Sequence, residues 1–165
     1  MPQRDETALF EKICLEGQQA GLSWITVLRK RERYRDRFHG FDIDRVARMT
    51  ASDVDSIVTD AGVIRHRKKL EAIVTNARAA LRLREETSLS DHLWSFVGGA
   101  PIVNRFERMA EVPAQTEISK AMSKDLKKRG FVFVGPTTCY ALMQACGMVN
   151  DHLVGCPRWR ELAGA

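Results

Sequence analysis

Apolar residues recur every three or four positions along most of the chain, and this spacing constrains the fold more than any other feature. Side chains with this spacing share one face of an α-helix. The clearest stripes are Leu9, Phe10, Ile13 and Cys14; Trp24, Val27, Leu28 and Phe38; Val54, Ile57, Val58 and Ala61; and Leu70, Ile73, Val74, Ala77 and Leu81. The pattern predicts an all-α protein. No linker divides the sequence, so we expect a single helical domain over residues 1–165.

Helix-start and helix-end residues place several boundaries. Ser23 is an expected N-cap for the second stripe. Ser52 and Asp55 have the spacing of a capping box and predict the start of the third helix. Gly62 follows the third stripe, where a helix end is expected, and a long helix should begin at about His66.

The second half of the sequence is less regular. Glycines and prolines divide residues 85–115 into short pieces. A helix is predicted over 117–129, ended by Gly130, and residues 131–134 could form a short strand. Gly135 and Pro136 then predict the start of a last helix, which carries Leu142, Met143 and Cys146 on its apolar face.

Composition restricts the class of protein and its surroundings. Hydrophobic residues make up 44% and charged residues 28% of the sequence, as in soluble globular proteins. No apolar run approaches the roughly 20 residues that cross a bilayer, and the first ten residues lack the apolar core of a secretory signal. We therefore expect a cytoplasmic protein without a membrane partner. A formal charge of +5 permits a polyanionic partner, although a solvated basic surface explains it equally well.

The four cysteines are expected to be reduced, because disulfides are rare in cytoplasmic proteins. Cys14, Cys139 and Cys146 lie in apolar helical stretches and are predicted to be buried. Cys156 lies outside such a stretch, so it is the one candidate metal ligand among them.

Residues 53–84 contain the first feature with functional content: a short helix, the turn DAGVIRHR at 60–67, and a long helix. Gly62 allows a tight turn, and the free N–H groups at the start of the long helix suit a phosphate. Arg65, Arg67, Lys68 and Lys69 surround that helix start, although acidic residues would suit the helix dipole better. A bound anion would explain the four cations, whereas basic residues at a helix start are also often merely solvated.

Residues 15–24, LEGQQAGLSW, combine a carboxylate with an indole. Glu16 could accept hydrogen bonds from the edge of a flat base, and Trp24 could stack on its face. The alternative is that Glu16 is an ordinary residue of a last helical turn and that Trp24 anchors the core.

Three strings together resemble bacterial 3-methyladenine DNA glycosylase I. They are LEGQQAGLSWITVL (15–28), DAGVIRHR (60–67) and KKRGFVFVGPTTCYALMQACGMVNDH (127–152), the last continuing into HLVGC (152–156). The resemblance extends over residues 9–156, in the order found in that family. It implies a helix–hairpin–helix DNA glycosylase fold and an enzyme that flips 3-methyladenine out of duplex DNA. Such enzymes hydrolyse the glycosidic bond without cutting the strand.

The resemblance also implies roles for individual residues. Glu16 matches the glutamate that binds the excised base and is the expected catalytic residue. Trp24 matches an aromatic wall of the pocket, and Leu22 matches the residue that wedges into the DNA. Residues 60–67, with Gly62, Arg65 and Arg67, match the hairpin that grips phosphates; we assign Lys68 and Lys69 to phosphate contact as well. Many relatives in the superfamily use a catalytic aspartate, but no aspartate occurs between residues 61 and 90.

The family resemblance further implies a structural zinc with four ligands. His152 and Cys156 match two of them. The other two belong to a segment around a pattern like YHDNEWGVP, and the present sequence begins at Met1 level with the end of that pattern. Cys139 and Cys146 are expected to be core residues rather than substitutes. We therefore expect zinc to bind weakly or not at all, because two ligands hold it poorly.

The same segment carries a tyrosine and a tryptophan of the pocket in the family. Stacking is worth ~1–3 kcal/mol per base, so base recognition is expected to be impaired in this sequence. The leading hypothesis is a monomeric glycosylase that acts on duplex DNA containing alkylated adenine. A helix–hairpin–helix DNA-binding module without turnover is the alternative, and a helical interaction protein without a DNA role is a third.

Overall fold

The computed structural model describes residues 2–164, and helices dominate this part of the chain. The α-helices are α1 (Glu6–Gln18), α2 (Trp24–Leu28), α3 (Arg31–Arg37), α4 (Ile43–Ala47), α5 (Ala51–Val58), α6 (Arg67–Arg84), α7 (Leu89–Ser95), α8 (Glu117–Lys128), α9 (Pro136–Ala145) and α10 (Pro157–Ala163). Single 3₁₀ turns occur at His39–Phe41 and Met109–Glu111. The strands β1 (Ile102–Val103) and β2 (Val149–Asn150) form a short parallel pair. The predicted all-α class is confirmed, since two-residue strands are a minor addition.

Helix α1 lies at the centre of the molecule, in contact with α6, α7 and α9. Its second half is buried on all sides, from Ile13 to Gln18. A helix covered in this way brings its polar side chains inside together with its apolar ones, and Glu11, Glu16 and Gln18 are therefore buried. Large aromatic side chains fill the space around α1, among them Phe10, Tyr34, Phe38, Phe41 and Trp94.

Several predicted boundaries need correction. The second stripe is divided between α2 and α3, and Leu28 is 43% exposed rather than buried. Helix α5 begins after Thr50, because Thr50 and Asp53 cap each other reciprocally; the predicted pair of Ser52 and Asp55 lies inside the helix. The helix ends at Val58, so Ala61 belongs to the turn that follows.

Residues 131–134 form a loop instead of the predicted strand. Their backbone is held by side chains: Asn76 bonds both the amide and the carbonyl of Val132, and Ser123 donates to the carbonyl of Val134. The predicted helices at 117–129 and after Gly135 are confirmed as α8 and α9, but α10 follows, so α9 is not the last helix.

The cysteine prediction is confirmed for Cys14, Cys139 and Cys146, which are buried in the core. Cys156 is half-buried, and all four thiols are free. Across residues 2–164, every helix is too short or too polar to span a lipid bilayer.

Candidate nucleic-acid site

The helix–hairpin–helix predicted at 53–84 is present as α5, the turn at 59–66 and α6. Arg65, Arg67 and Lys68 lie exposed at the start of α6. Among the described residues, no acceptor is found for the backbone N–H groups of these three residues. His66 is the N-cap, and its ring nitrogen accepts from the amide of Lys69. The turn therefore presents free N–H groups and positive side chains to solvent, which is the arrangement that binds phosphate.

The basic side chains at this turn differ in whether an acidic side chain already pairs with them. Arg67 pairs with Asp55 on α5 and, at 3.4 Å, with Glu71 on α6. Arg65 and Lys68 form no ion pair within the described part of the chain. These last two side chains are therefore the freer cations of the hairpin.

Helix α3 supports the hairpin from behind. The carboxylate of Asp60 accepts hydrogen bonds from Arg33 (2.7 Å), Arg37 (2.6 Å) and the amide of Gly62 (2.8 Å). The Gly62 amide and then the Arg37 guanidinium lower the pKa of Asp60 to about 2. Lys30 donates to the carbonyl of Ala61. This support could not be predicted from local sequence, because α3 and the turn are far apart along the chain.

Gly62 is required by packing. A Cβ added to Gly62 would lie 2.4 Å from Cγ of Arg33, far inside van der Waals contact. The close approach of the turn to α3 therefore depends on the missing side chain.

A buried polar network connects the hairpin to the end of α1. The Tyr34 hydroxyl accepts a hydrogen bond from the amide of Ile64 and donates one to the side-chain oxygen of Gln18. The side-chain nitrogen of Gln18 donates to the carbonyl of Lys69. Lys69 is only 7% exposed, and its ammonium donates to the carbonyls of Gln18 and Ala20. The assignment of Lys69 to phosphate contact is therefore wrong: its side chain turns inward, and burial lowers its pKa.

Glu16 lies near the end of α1 and is 6% exposed. Burial raises the pKa of its carboxyl to about 6, against the opposing effect of the Lys12 ammonium. The Glu16 carboxylate accepts no hydrogen bond from any residue between 2 and 164. A largely buried acid with a raised pKa, whose carboxylate faces a pocket instead of a structural partner, is typical of a functional site.

The Glu16 side chain lines an open pocket of about 430 Å³ between the end of α1 and the start of α9. The pocket is lined by Glu16, Gln19, Ala20, Gly21, Leu22, Ser23, Thr137, Thr138 and Ala141. Leu22 is 40% exposed at this pocket, where a side chain could reach into DNA. Gln19, Thr137 and Thr138 line the pocket but were not predicted from the sequence as site residues. The helix start predicted at Gly135 and Pro136 indicated only that Thr137 and Thr138 lie in the first turn of α9.

Trp24 does not line the Glu16 pocket. Its half-buried ring packs against the core, with the ammonium of Lys12 5.5 Å from the ring centroid. Lys12 precedes Glu16 by four residues on α1, so a lysine stands beside both predicted base-binding residues. The structure thus does not bring Glu16 and Trp24 into one pocket wall, and Lys12 lies close to the Trp24 ring.

The described residues do not provide a complete zinc site. His152 is exposed and Cys156 half-buried, and both line a second surface pocket with Asp151 and Glu107. Asp151 already accepts hydrogen bonds from Asn104, Tyr140 and Gln144. No group of three or more His, Cys, Asp or Glu side chains placed to hold a metal occurs between residues 2 and 164. The ligands present therefore do not fit a closed four-ligand site.

The helical architecture, the basic hairpin and the adjoining acidic pocket define a helix–hairpin–helix protein of the DNA glycosylase type. A family model for methyladenine glycosylase matches residues 1–159. The DNA-3-methyladenine glycosylase of Haemophilus influenzae is 60% identical over 157 residues, which cover 94% of this chain and 85% of that protein. DNA-3-methyladenine glycosylase 1 of Escherichia coli is 57% identical, with coverage of 94% and 84%.

A solved structure of 3-methyladenine DNA glycosylase I from Staphylococcus aureus, which concerns the recognition of 3-methyladenine, superimposes with a TM-score of 0.92. It is 41% identical, and the match covers 95% of this chain and 84% of the other. The chain belongs to the methyladenine glycosylase family.

Proposed function

We propose that this protein is a DNA-3-methyladenine glycosylase that hydrolyses the N-glycosidic bond of 3-methyladenine in alkylated duplex DNA and leaves the strand uncut. The observation that carries the proposal is the largely buried side chain of Glu16, whose carboxylate has no hydrogen-bond donor among residues 2–164 and lines a pocket beside the basic hairpin. The curated relatives, at 57–60% identity, carry the name of this activity.

The hairpin supplies the grip on DNA. The free N–H groups of Arg65, Arg67 and Lys68 bind a phosphate, and their side chains add positive charge around it. Gly62 lets the turn pack closely against Arg33 of α3, which holds the hairpin in place. Leu22 enters the stack where the damaged base has left, because it projects from the loop that also forms the pocket.

Glu16 recognises the extruded base. The carboxylate accepts hydrogen bonds from the base edge and is attracted to the positive charge that N3-methylation places on adenine. Burial strengthens both interactions, because few water molecules compete for the carboxylate. Trp24 offers the face of its indole to the base once the Lys12 side chain has moved from it.

The reaction requires little covalent help from the enzyme. The bond between the base nitrogen and C1′ breaks with its electron pair, so the cationic base leaves as neutral 3-methyladenine. A water oxygen then bonds to C1′, and its proton passes to solvent. Glu16 stabilises the positive charge that develops on the sugar. No lysine forms an imine: Lys69 is engaged with backbone carbonyls, and Lys68 lies exposed on the surface.

The test is release of free 3-methyladenine from methylated duplex DNA by the parent and by Glu16→Gln. Glu117→Gln, an exposed glutamate at the start of α8, is the matched control. We expect release by the parent and by Glu117→Gln only, and unchanged binding of an abasic duplex by Glu16→Gln. Release by Glu16→Gln would refute the role of Glu16. A parent that binds DNA without release would support the non-catalytic DNA-binding module instead.

Zinc, oligomeric state and compartment are further proposals. We propose that His152 and Cys156 alone bind zinc only weakly, because they form no group of three or more ligands in the described chain. Titration of Zn²⁺ against a chromogenic chelator, with Cys156→Ser as comparison, tests this; one zinc per chain retained against the chelator would overturn it. Activity as a monomer in the cytoplasm stays a prediction, to be tested by light scattering and by localisation of a tagged protein.

A further inference from the structure

Lys12 is a half-buried lysine on α1 to which the proposed reaction gives no role. Its ammonium lies 5.5 Å from the centroid of the Trp24 ring. Glu16 follows one helical turn later on the same face of α1. Within residues 2–164, no carboxylate lies within ion-pair distance of Lys12.

A carboxylate and an aromatic face each attract a nearby cation. The ring quadrupole attracts positive charge, and a partly desolvated carboxylate attracts it further. A purine made cationic by methylation seeks the same two partners. The Lys12 ammonium therefore lies over the Trp24 ring that such a base would use, one helical turn before Glu16.

We propose that Lys12 is a built-in competitor, a cation that lies against the Trp24 ring one helical turn before Glu16 in the DNA-free enzyme and must be displaced by the cationic base. The inference rests on the proposed function, because Glu16 and Trp24 are base-binding residues only in that case. Lys12 then lowers the affinity of this site for a cation, because the binding free energy of a ligand is reduced by the interactions that the displaced lysine loses.

The surroundings of Glu16 single out Lys12 as the relevant charge. Helix α9, which packs against α1, carries no charged residue. The thiol of Cys146, just after α9, is neutral because burial raises its pKa to about 12. The ammonium of Lys69 on α6 is engaged by the carbonyls of Gln18 and Ala20. Lys12 is the group that lowers the pKa of Glu16 against the effect of burial.

The test uses Lys12→Met, which keeps the apolar stem and removes the charge. Lys12→Arg keeps the charge, and Lys124→Met removes one from the exposed face of α8 as a control for net charge. The ligand is 3,9-dimethyladeninium, a permanent cation that mimics the methylated nucleoside, and its dissociation constant is measured by calorimetry at low salt. Glu16 is titrated in parallel by carboxyl-carbon NMR in the ligand-free proteins.

We expect Lys12→Met to bind the cation about two- to fivefold more tightly than the parent, the range given by a cation–π contact of partly exposed groups. Lys12→Arg and Lys124→Met should match the parent, and Lys12→Met should raise the pKa of Glu16. Equal or weaker binding by Lys12→Met would overturn the inference. If Lys12 had only a structural role, its removal would leave the affinity for the cation unchanged or would lower it. An unchanged titration of Glu16 would also overturn it.

Failure of the proposed function has a different signature. A parent that neither excises 3-methyladenine nor binds 3,9-dimethyladeninium would contradict the glycosylase proposal, and with it the role of Lys12. A parent that excises the base, with a Lys12→Met variant of unchanged affinity, would contradict the role of Lys12 alone.

Discussion

The ammonium of Lys69 lies 2.6 Å from the carbonyl oxygen of Ala20, and this hydrogen bond joins the hairpin to the pocket. Lys69 belongs to the first turn of α6, which bears the proposed phosphate site, whereas Ala20 belongs to the loop that lines the pocket of Glu16. The same ammonium also bonds the carbonyl of Gln18. In the proposed function, this link holds DNA that is bound by the hairpin at a fixed distance from the Glu16 carboxylate.

Removing the Lys69 ammonium should affect stability and catalysis together. Lys69→Met leaves the buried carbonyl of Gln18 and the partly buried carbonyl of Ala20 without this donor, so we expect a loss of about 1–3 kcal/mol in the free energy of unfolding. The value of kcat for base release should fall as the pocket loop loosens. Lys68→Met removes the same charge from the exposed neighbour and should lower DNA affinity with little change in stability or kcat. Urea unfolding and single-turnover kinetics measure both variants, and equal effects of the two would contradict the linking role of Lys69.

The ionised carboxylate of Glu16 should lower the free energy of unfolding at neutral pH. Its folded pKa is about 6, above the ordinary value of 4.5, so the folded state binds more protons between these values. Stability therefore falls as pH rises from about 4.5 to 6. Glu16→Gln should gain up to about 2 kcal/mol over the parent at pH 7, from 1.36 kcal/mol per pKa unit. Unfolding at pH 4 and pH 7 checks this: the gain must be smaller at the lower pH, and a constant difference would exclude the titration of Glu16 as its cause.

Base release should depend on the ionised form of Glu16. With the pKa at about 6, kcat/KM is expected to be level above pH 7 and to decline roughly tenfold per unit well below pH 6. The measurement is release of 3-methyladenine between pH 5 and 8, corrected for spontaneous loss from enzyme-free DNA. An acid limb far below pH 6 would show that another group controls the reaction.

The hairpin cations should differ in their contribution to DNA binding. Arg65→Ala and Lys68→Ala should each reduce the slope of log K against log salt by about 0.9 for each DNA phosphate that the variant no longer neutralises. Arg67→Ala should change the slope less, because Asp55 and Glu71 share the charge of Arg67. Lys124→Ala on α8 is the control. Fluorescence anisotropy with an abasic duplex at several salt concentrations gives the slopes; equal slopes for all four would contradict the proposed phosphate site.

Gly62 should tolerate a methyl group poorly. In Gly62→Ala the new Cβ meets Cγ of Arg33 at 2.4 Å, so Arg33 must move and its bond to Asp60 weakens. We expect a loss of about 1–3 kcal/mol in stability, with weaker DNA binding. Gly155→Ala is the matched control, because nothing lies within 4 Å of the position of its Cβ. Thermal unfolding compares the two, and equal melting temperatures would contradict the packing role of Gly62.

The sequence alone determined what depends on neighbouring residues. Helical spacing of apolar side chains predicted the class of fold and most helices, and the hairpin at 53–84 was recognisable from Gly62 and the basic residues after it. Glu16 was identified because a carboxylate and an indole lie close together in LEGQQAGLSW, and by its resemblance to the family. These are features that a chain carries locally, and a single sequence displays them directly.

Only the tertiary structure decided which side chains meet. Lys68 and Lys69 are neighbours in sequence, yet one is exposed and the other is buried against α1, because helix geometry turns adjacent residues by about 100°. Asp60 meets Arg33 and Arg37 across more than twenty residues, and the Lys12 ammonium lies over the Trp24 ring. Burial, pairing and the raised pKa of Glu16 all depend on such distant contacts, which are fixed when the helices pack together and not before.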